Sequence, residues 1–306
     1  MQSARTVFMV RPARFGFNTE TAESNYFQSA IKEASWEEIQ RRARAEFDNM
    51  VAMLRDHGVQ VLVFEDTPAP HTPDSIFPNN WLTLHPDGRV LLYPMCAPNR
   101  RLERRSDILA ALQEQFVVTE VIDLSGFERQ NRFLEGTGSI IFDHLYRVAY
   151  ACLSPRTDVA LFRQVAGQLG YRAVAFHSHD ARGQEIYHTN VMMCVGARFA
   201  VVCLESIRDA AEQAALTDSL TATGHEIIDI SLAQVSSFAG NMLTLQPASG
   251  RELLVMSQRA YDVLMLAQRT NLAQYCDLLP LPIPTIETIG GGSARCMLAE
   301  VFLPEK

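Results

Sequence analysis

The chain has 306 residues, 47% of them hydrophobic and 20% charged, with a formal net charge of -8. That composition supports a large core, and the acidic balance, with no run of Lys and Arg, argues against nucleic acid or an anionic membrane surface as a partner. No apolar stretch reaches the ~18 to 20 residues of a membrane helix, the opening MQSARTVFMV lacks the layout of a secretory leader, and six cysteines without CxxC pairing point to reduced thiols in a cytoplasm.

Helical periodicity is clearest in SWEEIQRRARAEFDNMVAMLRDHG, with Ser35 as N-cap, Glu38 three residues on and Gly58 as the stop. Weaker helical patterns begin near Arg104, Pro155, Ser206 and Ser257, so starts recur roughly every fifty residues, the mark of an internal structural repeat. Short apolar runs of strand type follow each helix. After the first come VQVLVFE, NNWLTLH and RVLLYP, with a turn at Pro86-Asp87-Gly88. After the second come VTEVIDL, GSIIFD and YRVAYACL, turning at Asp143-His144, and after the third YRAVAF, NVMMCVG and RFAVVCL, turning near Gly196. HEIIDI, NMLTLQP and RELLVM follow the fourth, turning at Ser249-Gly250. The last unit holds CDLLPLP and MLAEVFL, and the N-terminal TVFMVRP supplies its missing strand. The expectation is an α/β fold of five helix-strand-strand-strand units in one catalytic domain, 1–306.

Between the first strand of each unit and its hairpin lies a polar loop carrying the unusual residues. These loops read DSIFPNN (Asp74 to Asn80), FLEGTGS (Phe133 to Ser139), EIYHTN (Glu185 to Asn190), SSFAGN (Ser236 to Asn241) and GGGSARC (Gly290 to Cys296). If the units are arranged around an axis, all five loops converge on one end, where a thiol, an imidazole and two carboxylates meet.

A free cysteine is more often inert packing than a nucleophile. Cys296, however, follows three consecutive glycines, which mark main chain in a special conformation or in close approach to something else. His188 is the one histidine of eight in an equivalent loop position, and Cys/His pairing is the usual way to activate a thiol or protonate a leaving amine. Glu135 and Asp74 read either as turn residues or as carboxylates facing substrate nitrogens, and their corresponding loop positions favour the second. Arg156, in SPRTD, is expected to open the third helix, where an arginine gains nothing from the helix dipole; that misfit points to a bidentate grip on a carboxylate. His177-Ser178-His179-Asp180 resembles half of a metal-binding motif whose remaining ligands are missing at useful spacing, so no metal is expected.

In their order along nearly the whole chain, MVRPARFGFN, DSIFPNNW, LEGTGS, SPRT, YHTN, GNML and GGGSARCM resemble the guanidine-modifying enzyme superfamily: arginine deiminases, dimethylarginine dimethylaminohydrolases and amidinotransferases. The resemblance implies a five-bladed α/β propeller and a covalent cysteine mechanism that needs no cofactor. In it Cys296 matches the nucleophile, His188 the general acid/base and Glu135 the substrate-orienting carboxylate. Asp74 matches an acidic position that binds substrate nitrogens, and Arg156 resembles the arginine that holds an amino acid's α-carboxylate.

Two departures bear on the substrate. Arginine deiminases carry an acid two residues after the histidine, where this chain has Asn190, and an acid at the end of the EGGD-like stretch, where it has Ser139. A bound guanidinium is a buried cation that needs carboxylates around it. An asparagine can instead donate to the carbonyl oxygen of a ureido group. Citrulline is therefore the expected substrate, and DSIFPNNW and GGGSARCMLAE bring the chain closest to the CtlX-type citrulline-utilisation hydrolases. Asn79, Asn80 and Asn241 are further candidates for polar contacts with it. The alternative on the same fold is an arginine or methylarginine deiminase that produces citrulline. Rivals of other classes are a metal-dependent amidohydrolase built on His177, His179 and Asp180, and a silent propeller that senses amino acids. The expected partner is a small amino acid, and the sequence is compatible with a homo-oligomer.

Overall fold

The computed structural model describes residues 1–22, 25–29 and 35–306. Its fifteen strands are β1 (Thr6–Arg11), β2 (Gln60–Glu65), β3 (Leu82–Leu84), β4 (Arg89–Leu92), β5 (Glu120–Asp123), β6 (Ile141–Asp143), β7 (Val148–Leu153), β8 (Arg172–His177), β9 (Met193–Val195), β10 (Phe199–Val202), β11 (Glu226–Asp229), β12 (Leu243–Leu245), β13 (Leu253–Ser257), β14 (Asp277–Leu281) and β15 (Ala299–Val301). One pattern repeats through them. An antiparallel pair (β3 with β4, β6 with β7, β9 with β10, β12 with β13) is followed by a helical crossover to a strand parallel to the second of the pair (β5, β8, β11, β14). A parallel neighbour needs a crossover connection, and the helices Ser106–Gln115, Val159–Leu169, Ala210–Ala222 and Leu266–Tyr275 supply it.

The fifth copy joins the two ends of the chain. Strand β15 pairs antiparallel with β1, register Thr6 to Val301, and β1 runs parallel to β2 after the helix Trp36–Asp56. The N-terminal TVFMVR run thus supplies the strand that the last unit lacks. A single parallel pair, Val301 with Leu84, merges this copy with the next into a six-stranded sheet, beside three sheets of three strands.

The helix Trp36–Asp56 starts where the sequence places it: the Ser35 side chain accepts from the Glu38 N–H. Its apolar stripe of Ala43, Phe47, Met50, Val51 and Leu54 joins one buried cluster with Val7, Met9, Ile286, Ile289 and Cys296 itself. The same helix reaches toward the site through Glu46, whose carboxylate accepts from the backbone N–H groups of Thr285 and Ile286 at 2.9 to 3.0 Å. This caps the helix Pro284–Gly290, which delivers the glycine triplet. The fourth crossover differs from a single helix. It breaks into Gln258–Val263 and Leu266–Tyr275 because buried Gln268 accepts from the Met265 N–H and donates to the Asp229 carbonyl, pinning the chain at the break.

The strands next to the polar loops are shorter than their apolar runs. Four of the five loops spend their last residues on a single helical turn: Pro78–Asn80, Gly136–Ser139, Thr189–Met192 and Ala294–Met297. Cys296 therefore sits within a turn, and strand begins only at Ala299. Arg156 also departs from expectation. The helix begins at Val159, with the Asp158 side chain as N-cap accepting from the Leu161 N–H, and Arg156 lies ahead of it in the turn closed by Thr157 and Ser154. No described helix is long and apolar enough to cross a membrane.

Candidate active site

The five polar loops are tied into a closed circuit of hydrogen bonds. Asn80 of the first loop donates to the Glu135 carbonyl of the second at 3.5 Å. From the second to the third, His188 Nε2 meets Glu135 Oε2 at 2.7 Å, and the Thr189 hydroxyl donates to the Ser139 carbonyl at 2.6 Å. Asn241 of the fourth donates to the Asn190 carbonyl of the third at 2.9 Å and accepts from the Arg295 N–H of the fifth at 3.1 Å. The circuit closes through Asn79, which, with its amide oriented to satisfy both ends, donates to the Cys296 carbonyl at 2.7 Å and accepts from the Gly138 N–H. Glycine is required at two of these junctions. A Cβ on Gly136, at φ +46°, would lie 2.4 Å from the Asn79 carbonyl oxygen, and one on Gly240 would lie 2.5 Å from that of Val191.

All nine residues expected in the site are between 0% and 4% exposed, so their polar groups must pair with one another or with a ligand. Glu135 is the most heavily engaged. One oxygen, Oε2, meets His188 and lies 3.5 Å from Arg156 Nη1; the other accepts from the Cys96 N–H at 2.9 Å. Burial alone would raise its pKa, but the Arg156 guanidinium, then His188, reverse this and hold the carboxyl well below the usual carboxylate range. Burial lowers the His188 imidazole to about 4 despite the Glu135 carboxylate. The ring is thus neutral near pH 7, with the Nε2 proton donated to Glu135, and Nδ1 carries the lone pair.

The Cys296 sulfur has a different environment. Asn190 Nδ2 lies 3.4 Å and Asn241 Nδ2 3.3 Å from Sγ, so two neutral amide donors face it. Asn190 Oδ1 is buried and has no hydrogen-bond partner in the protein. The glycine triplet packs beneath the segment: Gly290 and Gly292 each leave room for the Phe77 ring, within 2.9 Å of where a Cβ would stand. Gly291, at φ +63°, terminates the helix Pro284–Gly290.

Asp74 lies behind the first loop. Its Oδ2 accepts from Asn18 at 2.7 Å and lies 3.8 Å from Arg100 Nε, whereas Oδ1 is buried without a partner. Burial raises its pKa against the pull of Arg100 and Asn18. Residues 25–28 are fastened over this region: Asn25 and Gln28 donate to the Gly290 and Gly291 carbonyls, and Phe27 packs on Tyr187 and Phe238. Arg156 stacks 4.9 Å from the Tyr187 ring centroid, and Tyr187 donates to the Gly291 carbonyl at 2.7 Å.

One connected network thus contains Cys296, His188, Glu135, Arg156, Asn79, Asn80, Asn190 and Asn241, with Asp74 joined to it through Arg100 and itself bonded to Asn18. Four participants escape a reading of the sequence: Asn18, Arg100, Glu103 and Tyr187. Arg100 stands in PNRRLERR, a basic stretch that looks like a solvated helix face, and only its burial to 3% exposure marks it out. His177 lies away from the network and pairs with Glu212 at 2.9 Å.

Comparison with known proteins agrees with this architecture. The family model described as N,N dimethylarginine dimethylhydrolase, eukaryotic, matches residues 11–303. Among solved structures, the N-terminal domain of ArgZ, an arginine dihydrolase from cyanobacteria, superposes with a TM-score of 0.75 at 18% identity over 98% of both chains. AgrE in complex with L-arginine gives 0.76 at 17% identity, over 98% of this chain and 40% of that longer one. DDAH from Pseudomonas aeruginosa complexed with citrulline gives 0.67 at 13% identity, over 97% and 99%. At these identities the likeness speaks for the fold. No curated protein matches by sequence. The protein is an enzyme of the hydrolase class that acts on carbon–nitrogen bonds other than peptide bonds. It belongs to the N,N-dimethylarginine dimethylhydrolase family, within the guanidine-modifying superfamily.

Proposed function

We propose that this enzyme is a cysteine-dependent hydrolase of the ureido group of citrulline, giving ornithine, carbon dioxide and ammonia. The observation that carries the substrate choice is the pair of asparagine amides on the Cys296 sulfur. Where the reacting carbon must sit, the side chains that contact the nucleophile are neutral. A ureido group, itself neutral, offers a carbonyl oxygen to such donors, whereas a guanidinium offers only N–H groups and a charge.

In this reading Cys296 attacks the ureido carbon, and its proton passes through His188 to the departing nitrogen, which leaves as ammonia. Glu135 holds the imidazole in one tautomer, and the unpartnered oxygens of Asp74 and Asn190 accept from the ureido N–H groups. Arg156 receives the substrate's α-carboxylate. The resulting thiocarbamate is attacked by water with His188 as base, the C–S bond breaks to regenerate the cysteine, and the carbamate released falls apart to ornithine and carbon dioxide. The reaction requires no metal or other cofactor.

The circuit of hydrogen bonds linking all five loops supports reading the five units as the blades of an α/β propeller, a single catalytic domain over 1–306. The six cysteines, all unpaired, support a cytoplasmic setting.

A second reading is an arginine or methylarginine deiminase. Asp74, an acid whose Oδ1 has no partner, favours it, as does the AgrE complex with L-arginine. Purified protein incubated separately with citrulline, arginine and dimethylarginine, with ornithine, citrulline and ammonia assayed, decides between the two. Ornithine and ammonia from citrulline support the proposal; citrulline that accumulates from arginine and is never consumed rejects it.

A further inference from the structure

We infer that Glu287 is a positioning residue for the nucleophile, holding through Ser293 the turn that carries Cys296. The glycine triplet separates the helix Pro284–Gly290 from that turn, Ala294–Met297. Residues without side chains have wide backbone freedom and cannot anchor themselves. A side-chain bond crosses them: the Ser293 hydroxyl donates to Glu287 Oε1 at 2.5 Å, joining the helix to the far end of the triplet. The Ser293 carbonyl in turn accepts from the Cys296 N–H at 3.0 Å, so two hydrogen bonds lead from the carboxylate to the backbone of the nucleophile.

The Ser293 hydroxyl points the wrong way for a cap. Ser293 stands at the N-cap of the turn Ala294–Met297, where a serine side chain ordinarily accepts from a backbone N–H of the turn it opens. It makes no such bond. The hydroxyl is turned back across the triplet instead, where it serves as a donor to Glu287.

Glu287 is 1% exposed and Ser293 0%. Burial raises the carboxyl's pKa, opposed first by the Ser293 hydroxyl, then by that of Ser257 at the end of β13 and by the Arg259 guanidinium, while the Glu46 carboxylate adds to the rise. A carboxylate held chiefly by hydroxyls is costly to bury, and a helix that only packed on the core could carry an apolar residue here at lower cost. What the carboxylate gains is reach. It grips Ser293 on one side and faces Ser257 on the other, so the fifth loop is fixed both to its own helix and to the fourth unit.

This inference rests on Cys296 being the nucleophile, as proposed above, and not on which substrate is turned over. Its test measures kcat, KM and melting temperature in Glu287→Ala, Glu287→Gln, Ser293→Ala and the Glu287→Ala/Ser293→Ala double variant, with whichever of citrulline, arginine or dimethylarginine the wild-type enzyme consumes, well below every melting temperature. Glu287→Ala is expected to lower kcat by about 100-fold, the cost of a misplaced reacting group, with KM changed by less than about threefold. Glu287→Gln keeps an oxygen that accepts from Ser293 and should recover at least about tenfold of that loss. The double variant should lose no more than the worse single variant. A merely structural brace would lower the melting temperature and leave kcat of the folded enzyme unchanged. Glu287→Ala within about twofold of wild type in kcat, a Gln variant no better than the Ala variant, or losses that multiply would each overturn the inference. If Glu287→Ala does not fold, Ser293→Ala is read in its place: a loss of about 100-fold in kcat supports the inference and one within about twofold overturns it. Cys296→Ser, run alongside, keeps the two claims apart. Turnover that survives it rejects the nucleophile itself, whereas an inactive Cys296→Ser beside a Glu287→Ala near wild type rejects this inference alone.

Discussion

The two halves of the active site are built on opposite principles. Around Glu135, His188 and Arg156 the contacts are between charged or titratable groups at 2.7 to 3.5 Å. Around the Cys296 sulfur they are amide N–H donors at 3.3 to 3.4 Å. Both are buried, so the difference reflects what each half handles. In the proposed reaction the charged half fixes a tautomer and stabilises a transient imidazolium, a task that needs a carboxylate whose charge survives burial. In that proposal the amide half receives the reacting group, and neutral walls there spare a neutral substrate the cost that an unpaired buried charge would bring.

The comparison breaks most sharply at the sulfur. Cys296→Ser is expected to lower kcat by on the order of 10⁴-fold or more while leaving the melting temperature near that of the wild type, since the two side chains are similar in size; substantial residual turnover would show that chemistry does not pass through this thiol. In the charged half, Glu135→Gln keeps the shape and removes the charge that steadies His188. A loss of about 10² to 10³-fold in kcat is expected, and a variant within a few-fold of wild type would reduce Glu135 to a structural ligand of the Cys96 N–H.

Converting one half toward the other sharpens the contrast. Asn190→Asp sets a carboxylate 3 to 4 Å from the sulfur, where the amide now stands at 3.4 Å. It should move the ratio of kcat/KM values for citrulline and arginine toward arginine by about tenfold or more. An unchanged ratio would show that neutrality of this half does not select the substrate.

The smallest effect lies outside both halves. Burial, then the nearby positive groups of His85 and the N-terminus, lowers His144 to about 3, below its ordinary 6.5. The unfolded chain therefore binds the extra proton, and stability is lost as pH falls from about 6.5 toward 3. His144→Phe removes this contribution, so its melting temperature should drop by a few degrees less than that of wild type between pH 6.5 and 4.5. Parallel pH profiles would contradict the assignment of a half-buried neutral imidazole.

What the sequence revealed and what it hid divide along local and non-local lines. Repeated helix starts, hairpin turns at Gly88, Gly196 and Gly250, and alternating apolar runs are local signals, and the strands appear where those runs lie. The union of β1 with β15 was legible as well, because the last unit lacks a strand that TVFMVR can supply. Arg156 misled through its neighbours: Asp158 captures the Leu161 N–H and delays the helix, which leaves the arginine outside the first turn and removes the dipole misfit. Arg100 was hidden because its burial depends on Glu103, Asp74 and Asn80 folding around it. Nothing within PNRRLERR distinguishes it from the half-buried Arg101, Arg104 and Arg105. The short turns ahead of β3, β6, β9 and β15 were unreadable for a similar reason, since each is held by bonds to a different loop, as Thr189 is to Ser139.

The most direct test of the central claim is to quench the enzyme during turnover of citrulline labelled with ¹³C at the ureido carbon and to follow that label by mass spectrometry. The label should appear first on the peptide that contains Cys296 and then as carbon dioxide, with ornithine left unlabelled. Citrulline recovered intact, with the Cys296 peptide unlabelled while arginine modifies it, would contradict the account.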